Sequence, residues 1–275
     1  MMPLMGTSGA ETLSAASNVF MGQTEAPIIV KPYIAGMTRS ELLAVMVGGL
    51  STVAGSVFAI YVGLGADPVA MLTTSVMAAP CGLYVAKILL PETDQPLTSG
   101  NDGIHVARQH ANVIDAISSG AADGTRLAIN VAGMLIAFLA FIAMIDFILD
   151  MLWSGLSLAG IFSVAFAPVA ALMGIPVGDI YVVADLLGTK LATNEFVAYI
   201  KLGGEYKQII SERGQFLATF ALTGFANFGS IGILLGGIGG MAPERRGDLG
   251  NLSMRALLGG FVVTLINASI AAIML

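Results

Sequence analysis

Long apolar segments separated by short polar stretches form the pattern of this chain. Five segments are long enough to cross a membrane as helices, at about 41–64, 69–90, 127–151, 214–241 and 252–275. A transmembrane helix needs about 20 predominantly apolar residues, and each segment meets that length. The pattern predicts an all-α integral membrane protein that crosses the bilayer several times.

Two further stretches, about 3–30 and 155–200, contain only short apolar runs beside a polar island. The first island, at 22–27, has the sequence Gly-Gln-Thr-Glu-Ala-Pro, and the second, at 193–195, is Thr-Asn-Glu. A charge inside lipid costs about 2.5–3.5 kcal/mol, so polar groups at that depth usually line a path or a site. We interpret each stretch as a re-entrant helical hairpin, because irregular backbone is tolerated there only where protein or a cavity covers it.

Two of the spanning segments are interrupted near the middle by glycine and polar side chains. One interruption covers 48–56, and the other, at 223–230, has the sequence Thr-Gly-Phe-Ala-Asn-Phe-Gly-Ser. Spanning helices with such a centre are expected to unwind there, and unwound backbone can coordinate a ligand or an ion.

The second half of the chain repeats the order of features in the first half. Residues 23–25 align with 193–195, and residues 55–57 align with 229–231. Each repeat is therefore predicted to be a re-entrant hairpin, a broken transmembrane helix and a further transmembrane helix. Shape and spacing carry this inference, because the identity between the two halves is weak.

The predicted units are a first repeat (1–92), a connecting region (93–151) and a second repeat (152–275). The connecting region combines an amphipathic surface helix with a scaffold helix that spans the membrane. An odd number of crossings between two like units inverts one relative to the other, as in many secondary transporters. Under this topology the positive-inside rule assigns one side to the cytoplasm. That side carries Lys31, Arg39, Lys87, Arg108, Arg126, Arg245, Arg246 and Arg255.

Composition supports a membrane protein, and the lack of a Ser/His/Asp order or a metal cluster in the sequence argues against an enzyme. Charged residues make up 11% of the chain, against about 25% in soluble domains. The single cysteine, Cys81, excludes a disulfide within the chain, and two histidines, His105 and His110, make a zinc site improbable. We expect no cofactor other than a coupling ion, and no nucleic acid partner.

Three stretches, 22–27, 188–199 and 224–231, resemble the concentrative nucleoside transporter family. The second has the sequence Gly-Thr-Lys-Leu-Ala-Thr-Asn-Glu-Phe-Val-Ala-Tyr and is similar to the signature of that family. The resemblance covers the whole of 1–275. It implies a symporter that imports nucleosides across the cytoplasmic (inner) membrane, with the substrate held at the midplane between two hairpin tips and two unwound helices.

The resemblance also implies the substrate-binding residues. Gln23, Thr24 and Glu25 would hold the nucleobase, with Val57 packed nearby. Glu195, Asn227 and Ser230 would hold the ribose hydroxyls, with Phe225 against the sugar or base. These residue types suit the task, because a carboxylate accepts hydroxyl hydrogen bonds and an amide both donates and accepts. The alternative for Thr24 and Ser230 is that they only cap half-helices.

A sodium site is implied at Asn18 and Thr52, completed by backbone carbonyls at Met21 and Val53. Members coupled to sodium have an asparagine four residues before the hairpin glycine, here Asn18 before Gly22. Members coupled to protons differ at that asparagine, so sodium is preferred over a proton for this chain.

The resemblance further implies about three membrane helices before the first hairpin, and a homotrimer whose contacts use that region in part. This chain is therefore expected to be a fragment or to receive those helices separately. Two alternatives remain open. One is a symporter for another small polar solute such as an amino acid, for which Lys190 would be the cation nearest a polar island. The other is a truncated, non-transporting membrane subunit.

Overall fold

The computed structural model describes residues 5–99 and 111–275, and all regular elements in those ranges are helical. The helices before residue 100 are α1 (Gly9–Ser17), α2 (Glu25–Ile29), α3 (Lys31–Ile34), α4 (Arg39–Ser51), α5 (Gly55–Gly63) and α6 (Pro68–Leu89). Those after residue 110 are α7 (Val113–Leu152), α8 (Leu158–Leu172), α9 (Ile180–Ala192), α10 (Glu195–Gly203), α11 (Glu212–Leu222), α12 (Phe228–Met241) and α13 (Arg246–Met274). Short 3₁₀ turns occupy Val177–Asp179 and Pro243–Arg245.

The core of the molecule is a bundle of α4, α6, α11 and α13. Helix α4 packs against α6 and α13, and α11 packs against the same two helices. The side chains of α4 are buried from Ser40 to Ser51, so this helix lies at the centre. A helix that is apolar on every face is stable only when it is surrounded by protein or lipid.

Three helical segments of the described chain are long and apolar enough to cross a membrane. They are Arg39–Gly63, Pro68–Leu89 and Pro243–Met274, and the shorter α8 and α12 are also apolar. These segments overlap the stretches 41–64, 69–90 and 252–275 named from the sequence. The last span begins earlier than predicted, because the charged turn after Met241 runs directly into α13.

Both predicted spans with polar centres are broken helices. The first separates into α4 and α5 with residues 52–54 between them, and the second separates into α11 and α12 around residues 223–227. In the second break Gly224 has a φ of 130°, a left-handed conformation that side chains disfavour. A Cβ there would also lie 3.0 Å from Leu50 O, so the two broken helices touch closely at this point.

The region predicted as hairpin 2 contains three helices instead of two. Helix α8 ends at Leu172, where Gly174 adopts a φ of 81° and Pro176 follows. The chain turns and α9 packs back along α8. The polar island at 193–195 lies after α9, at its junction with α10. The sequence shows both interruptions, but it does not say which of them separates the two arms of a hairpin.

The connecting region also differs from its prediction. Residues Val113–Leu152 form one continuous helix of 40 residues, so the surface helix and the scaffold helix are not separate elements there. Its glycines and its change from polar to apolar sequence do not end it, and no proline interrupts the run. His105, Arg108, His110 and residues 1–4 lie outside the described residues.

Candidate functional site

One cavity brings together the eight residues predicted to bind substrate. Its volume is about 400 Å³, within the roughly 300–1,000 Å³ typical of small-molecule sites. The predicted residues that line it are Gln23, Thr24, Glu25, Val57, Glu195, Phe225, Asn227 and Ser230. They come from four places in the chain: the turn that leads into α2, the start of α5, the start of α10, and the second helix break with the first turn of α12.

Of the two glutamates that line the cavity, Glu195 is the more buried. It is the first residue of α10 and is 4% exposed. The hydroxyl of Tyr61 donates to Glu195 Oε1 at 2.8 Å, and Asn227 Nδ2 donates to Oε2 at 2.9 Å. A carboxylate has about four acceptor positions, so each oxygen still has a lone pair for a further donor.

Asn227 connects this carboxylate to the start of a helix. It is the N-cap of α12, and its Oδ1 accepts a hydrogen bond from Ser230 N at 2.8 Å. An N-cap side chain satisfies one of the backbone N–H groups that a helix leaves without a partner at its first turn. The amide of Asn227 is therefore fixed at both ends, by the helix and by Glu195.

The first hairpin region contributes the opposite wall. Gln23 Nε2 donates to Ser230 Oγ at 3.3 Å, while Gln23 Oε1 is buried with no protein partner. Thr24 Oγ1 donates to Glu25 Oε2 at 3.1 Å. An unpaired buried acceptor costs free energy unless a ligand or water supplies a donor. Gln23 is thus prepared to accept a hydrogen bond from a bound molecule.

The cavity also includes residues that sequence reasoning missed. Ala54, Ser56, Asn194, Phe196 and Ile233 line it beside the predicted set. Tyr61 was missed as well, although it holds Glu195 and stacks on Tyr199 with ring centroids 4.7 Å apart. Neighbouring positions could have indicated Asn194 and Phe196. Nothing local identifies Tyr61, because its partner lies 134 residues away in the sequence.

The residues predicted to hold sodium meet beside the first helix break. Asn18 is 1% exposed, and neither its Oδ1 nor its Nδ2 has a hydrogen-bond partner. A Cβ on Gly48 would lie 3.1 Å from Asn18 Nδ2, and Thr52 Oγ1 donates to Gly48 O at 3.2 Å. Val53 is buried in the same break, and Met21 is half-buried in the turn after α1. The unpaired amide of Asn18 fits an ion that is bound by oxygen atoms.

Several apolar helices, with a cavity between two broken ones, are features of multi-pass membrane transporters. Its residues 70–272 match the family described as "Na+ dependent nucleoside transporter C-terminus". Its residues 1–68 match the family described as "Nucleoside recognition". The chain belongs to the concentrative nucleoside transporter family and corresponds to its C-terminal region.

Relatives of known name and structure agree with this assignment. The chain is 45% identical over 294 residues to Sodium/nucleoside cotransporter 1 of Sus scrofa, covering 100% of this chain and 45% of that protein. It is also 45% identical over 280 residues to an uncharacterized transporter of Haemophilus influenzae, covering 98% of this chain and 67% of that one. The chain thus spans about half the length of the mammalian relative.

Two solved structures of one transporter, CNTnw, share the fold. The inward-facing substrate-bound state of CNTnw is 43% identical with a TM-score of 0.80, covering 98% of this chain and 66% of that chain. An outward-facing state of a variant is 42% identical with a TM-score of 0.79, covering 98% and 65%. The chain resembles both states to the same degree.

Proposed function

We propose that this chain is the substrate-binding part of a sodium-coupled symporter that imports nucleosides across the cytoplasmic membrane. The observation that supports it best is the meeting of the eight predicted residues around one cavity, where Glu25 and Glu195 both take part. The substrate would lie near the midplane of the bilayer, between two inverted repeats. A homotrimer is proposed for the assembly that includes the region before this chain.

The wall formed by α10 and α12 suits a ribose. Glu195 retains an acceptor position on each oxygen, and two neighbouring sugar hydroxyls can donate to them. Asn227 and Ser230 lie beside that carboxylate and would bind the same hydroxyls. A site built to bind a hydroxyl rejects an analogue that lacks it, because its own buried polar groups are then left unpaired.

The opposite wall suits a nucleobase. The unpaired Gln23 Oε1 would accept an N–H of the base edge, and Thr24 offers a hydroxyl beside it. Val57 and Phe225 supply apolar surface for the faces of a planar ring. Base and sugar would then connect the first half of the chain with the second.

Sodium would bind at Asn18 and Thr52 with carbonyls of Met21 and Val53. The turn after α1 rests on the first helix break, since Gly55 N donates to Phe20 O at 2.9 Å. An ion at Asn18 would order this turn and so fix the position of Gln23. Sodium binding and nucleoside binding would then favour each other by the same factor, as linkage requires.

The cavity gives less support to the alternative of an amino acid symporter. A substrate carboxylate would need a cation or a helix N-terminus. The described residues that line the cavity include no lysine or arginine, and Asn194 and Asn227 already accept hydrogen bonds from the first turns of α10 and α12. The Nζ atom of Lys190 instead donates to Ala221 O at 2.8 Å. The alternative of a non-transporting subunit is tested by measuring whether proteoliposomes that contain this chain take up nucleosides.

The test replaces Glu195 with glutamine and measures binding of uridine and adenosine to the purified chain by calorimetry in sodium buffer. Hydrogen bonds to a charged group contribute about 1.5–3 kcal/mol each, so we expect the affinity to fall about 100-fold or more. The matched control is Glu244→Gln, which changes an exposed glutamate between α12 and α13. Nucleoside affinity that stays unchanged in Glu195→Gln would exclude the proposed site. Competition by amino acids but not nucleosides would favour the first alternative.

A further inference from the structure

The two broken helices end in the same way before their breaks. Thr52 is the C-cap of α4 and Thr223 is the C-cap of α11. Thr52 Oγ1 donates to Gly48 O at 3.2 Å, and Thr223 Oγ1 donates to Thr219 O at 2.7 Å. The last carbonyls of a helix have no partner within it and carry partial negative charge. Each break therefore presents a negative helix end to the hairpin segment that packs beside it.

At the first break the groups identified beside the end of α4 are a backbone carbonyl, a hydroxyl and an amide. The side chain of Asn18 reaches the last turn of α4, is buried and has no partner in the protein. The break thus offers oxygen atoms, and no hydrogen bond from a lysine or arginine to Gly48 O, Thr52 Oγ1 or Asn18 is found among the described residues. An exchangeable cation can occupy such a place.

At the second break the protein supplies its own cation. Lys190 lies in the last turn of α9 and is 0% exposed. Its Nζ donates to Ala221 O at 2.8 Å, in the last turn of α11, and to Thr264 Oγ1 at 3.3 Å on α13. The same ammonium lies 5.3 Å from the centroid of the Phe261 ring. A buried ammonium is tolerated only where negative groups compensate for its lost hydration.

The negative groups around Lys190 include the proposed substrate carboxylate. Glu195 follows five residues later in the chain, and its charge interacts with that of Lys190. The carboxylate receives its hydrogen bonds from Tyr61 and Asn227, so Lys190 compensates its charge without occupying its acceptor positions.

We propose that the ammonium of Lys190 acts at the second helix break as a built-in counterpart of the sodium ion at the first. It stabilises the end of α11 and places a positive charge near Glu195, which makes it a positioning residue for substrate binding. The inference rests on the proposed function. The inference adds that an exchangeable ion binds only at the first break, because the ammonium of Lys190 always occupies the second.

Two substitutions at Lys190 distinguish a role as a built-in cation from that of a purely structural hydrogen bond between helices. Lys190→Met keeps most of the volume and removes the charge. Lys190→Ser also removes the charge but leaves a polar space in which a sodium ion can bind. Lys207→Met, an exposed lysine in the loop after α10, is the control. For each purified chain, thermal unfolding is recorded in rising sodium chloride and in choline chloride, and uridine affinity is measured at saturating sodium.

The expected result is a difference between the two variants. Lys190→Met should lose at least tenfold in uridine affinity at every sodium concentration, with the sodium dependence of the wild type otherwise unchanged. Lys190→Ser should gain a sodium-specific rise in unfolding temperature that Lys190→Met lacks. It should also recover affinity at high sodium, with a steeper sodium dependence than the wild type.

Two outcomes would overturn the inference. One is an unfolding temperature that responds to sodium chloride and choline chloride equally in both variants, which would mean that Lys190 only links the helices structurally. The other is uridine affinity in Lys190→Met equal to that of the wild type, a result that does not depend on whether Lys190→Ser folds. Failure of the proposed function is distinguishable, because the wild type itself would then bind no nucleoside. The unfolding comparison requires no nucleoside and still tests the second break for a cation.

Discussion

Gln23 and Ser230 are 207 residues apart in the chain and share a hydrogen bond of 3.3 Å across the cavity. Each belongs to a different half, one in the turn before α2 and the other in the first turn of α12. The bond joins side chains whose partners are otherwise few, since Gln23 Oε1 has none in the protein. A ligand that enters the cavity can therefore replace a direct contact between the halves with a bridge through itself.

Removing the hydroxyl of Tyr61 should weaken nucleoside binding. Tyr61→Phe loses the donor to Glu195 Oε1 but retains a ring that can stack on Tyr199. A hydrogen bond to a charged group contributes about 1.5–3 kcal/mol, so we expect at least a tenfold rise in the uridine dissociation constant. Calorimetry measures this, with Tyr84→Phe as the control because Tyr84 is 60% exposed on α6. An unchanged dissociation constant would show that Tyr61 is dispensable for the site.

Replacing Asn18 should affect sodium before it affects nucleoside. Asn18→Ala removes the unpaired amide beside Gly48, and we expect the sodium concentration for half-maximal binding to rise about tenfold or more. Uridine affinity at saturating sodium should remain within about twofold, because the cavity walls are intact. The control is Asn251→Ala, an exposed asparagine on α13. Uptake by the wild type that follows a proton gradient and ignores sodium would contradict the prediction and favour proton coupling.

Gly188 should tolerate no side chain, because α8 and α9 touch there. A Cβ at this position would lie 2.6 Å from Ala159 O and 2.7 Å from Ser163 Oγ. Overpacking of this kind costs about 1–3 kcal/mol, so Gly188→Ala should lower the unfolding temperature. Gly250→Ala, on the exposed face of α13 with no atom within 4 Å, should instead raise it, by about 0.5–1 kcal/mol of stability. Equal shifts for both variants would argue against the close contact.

Much of the local architecture was predictable, because glycine and polar side chains in an apolar run have a direct physical consequence. The breaks at 52–54 and 223–227 lie within the interruptions identified in the sequence. The predicted separation of a surface helix from the spanning segment at 127–151 was wrong. A change from polar to apolar side chains alters the surroundings of a helix but does not end it, and α7 continues through.

The residues that line the cavity were predicted from resemblance, whereas their supporting contacts depend on the packing of distant segments. Glu195 is held by Tyr61 from α5 and by Asn227 from α12, and no spacing in the sequence brings these three together. One partner of Lys190 is likewise a backbone carbonyl, which any residue would provide. Sequence patterns identify polar side chains in apolar surroundings, but they do not identify the backbone groups that meet them.

The two hydrogen bonds of the Asn227 amide restrict which residues of the cavity can vary among relatives. Because one end of it caps α12 and the other binds Glu195, a substitution there disturbs a helix terminus as well as the acidic wall. Val57 and Phe225 border the same space with apolar side chains that form no such connection. Relatives that favour different nucleobases are therefore expected to vary at these two positions while the amide and the carboxylate stay constant.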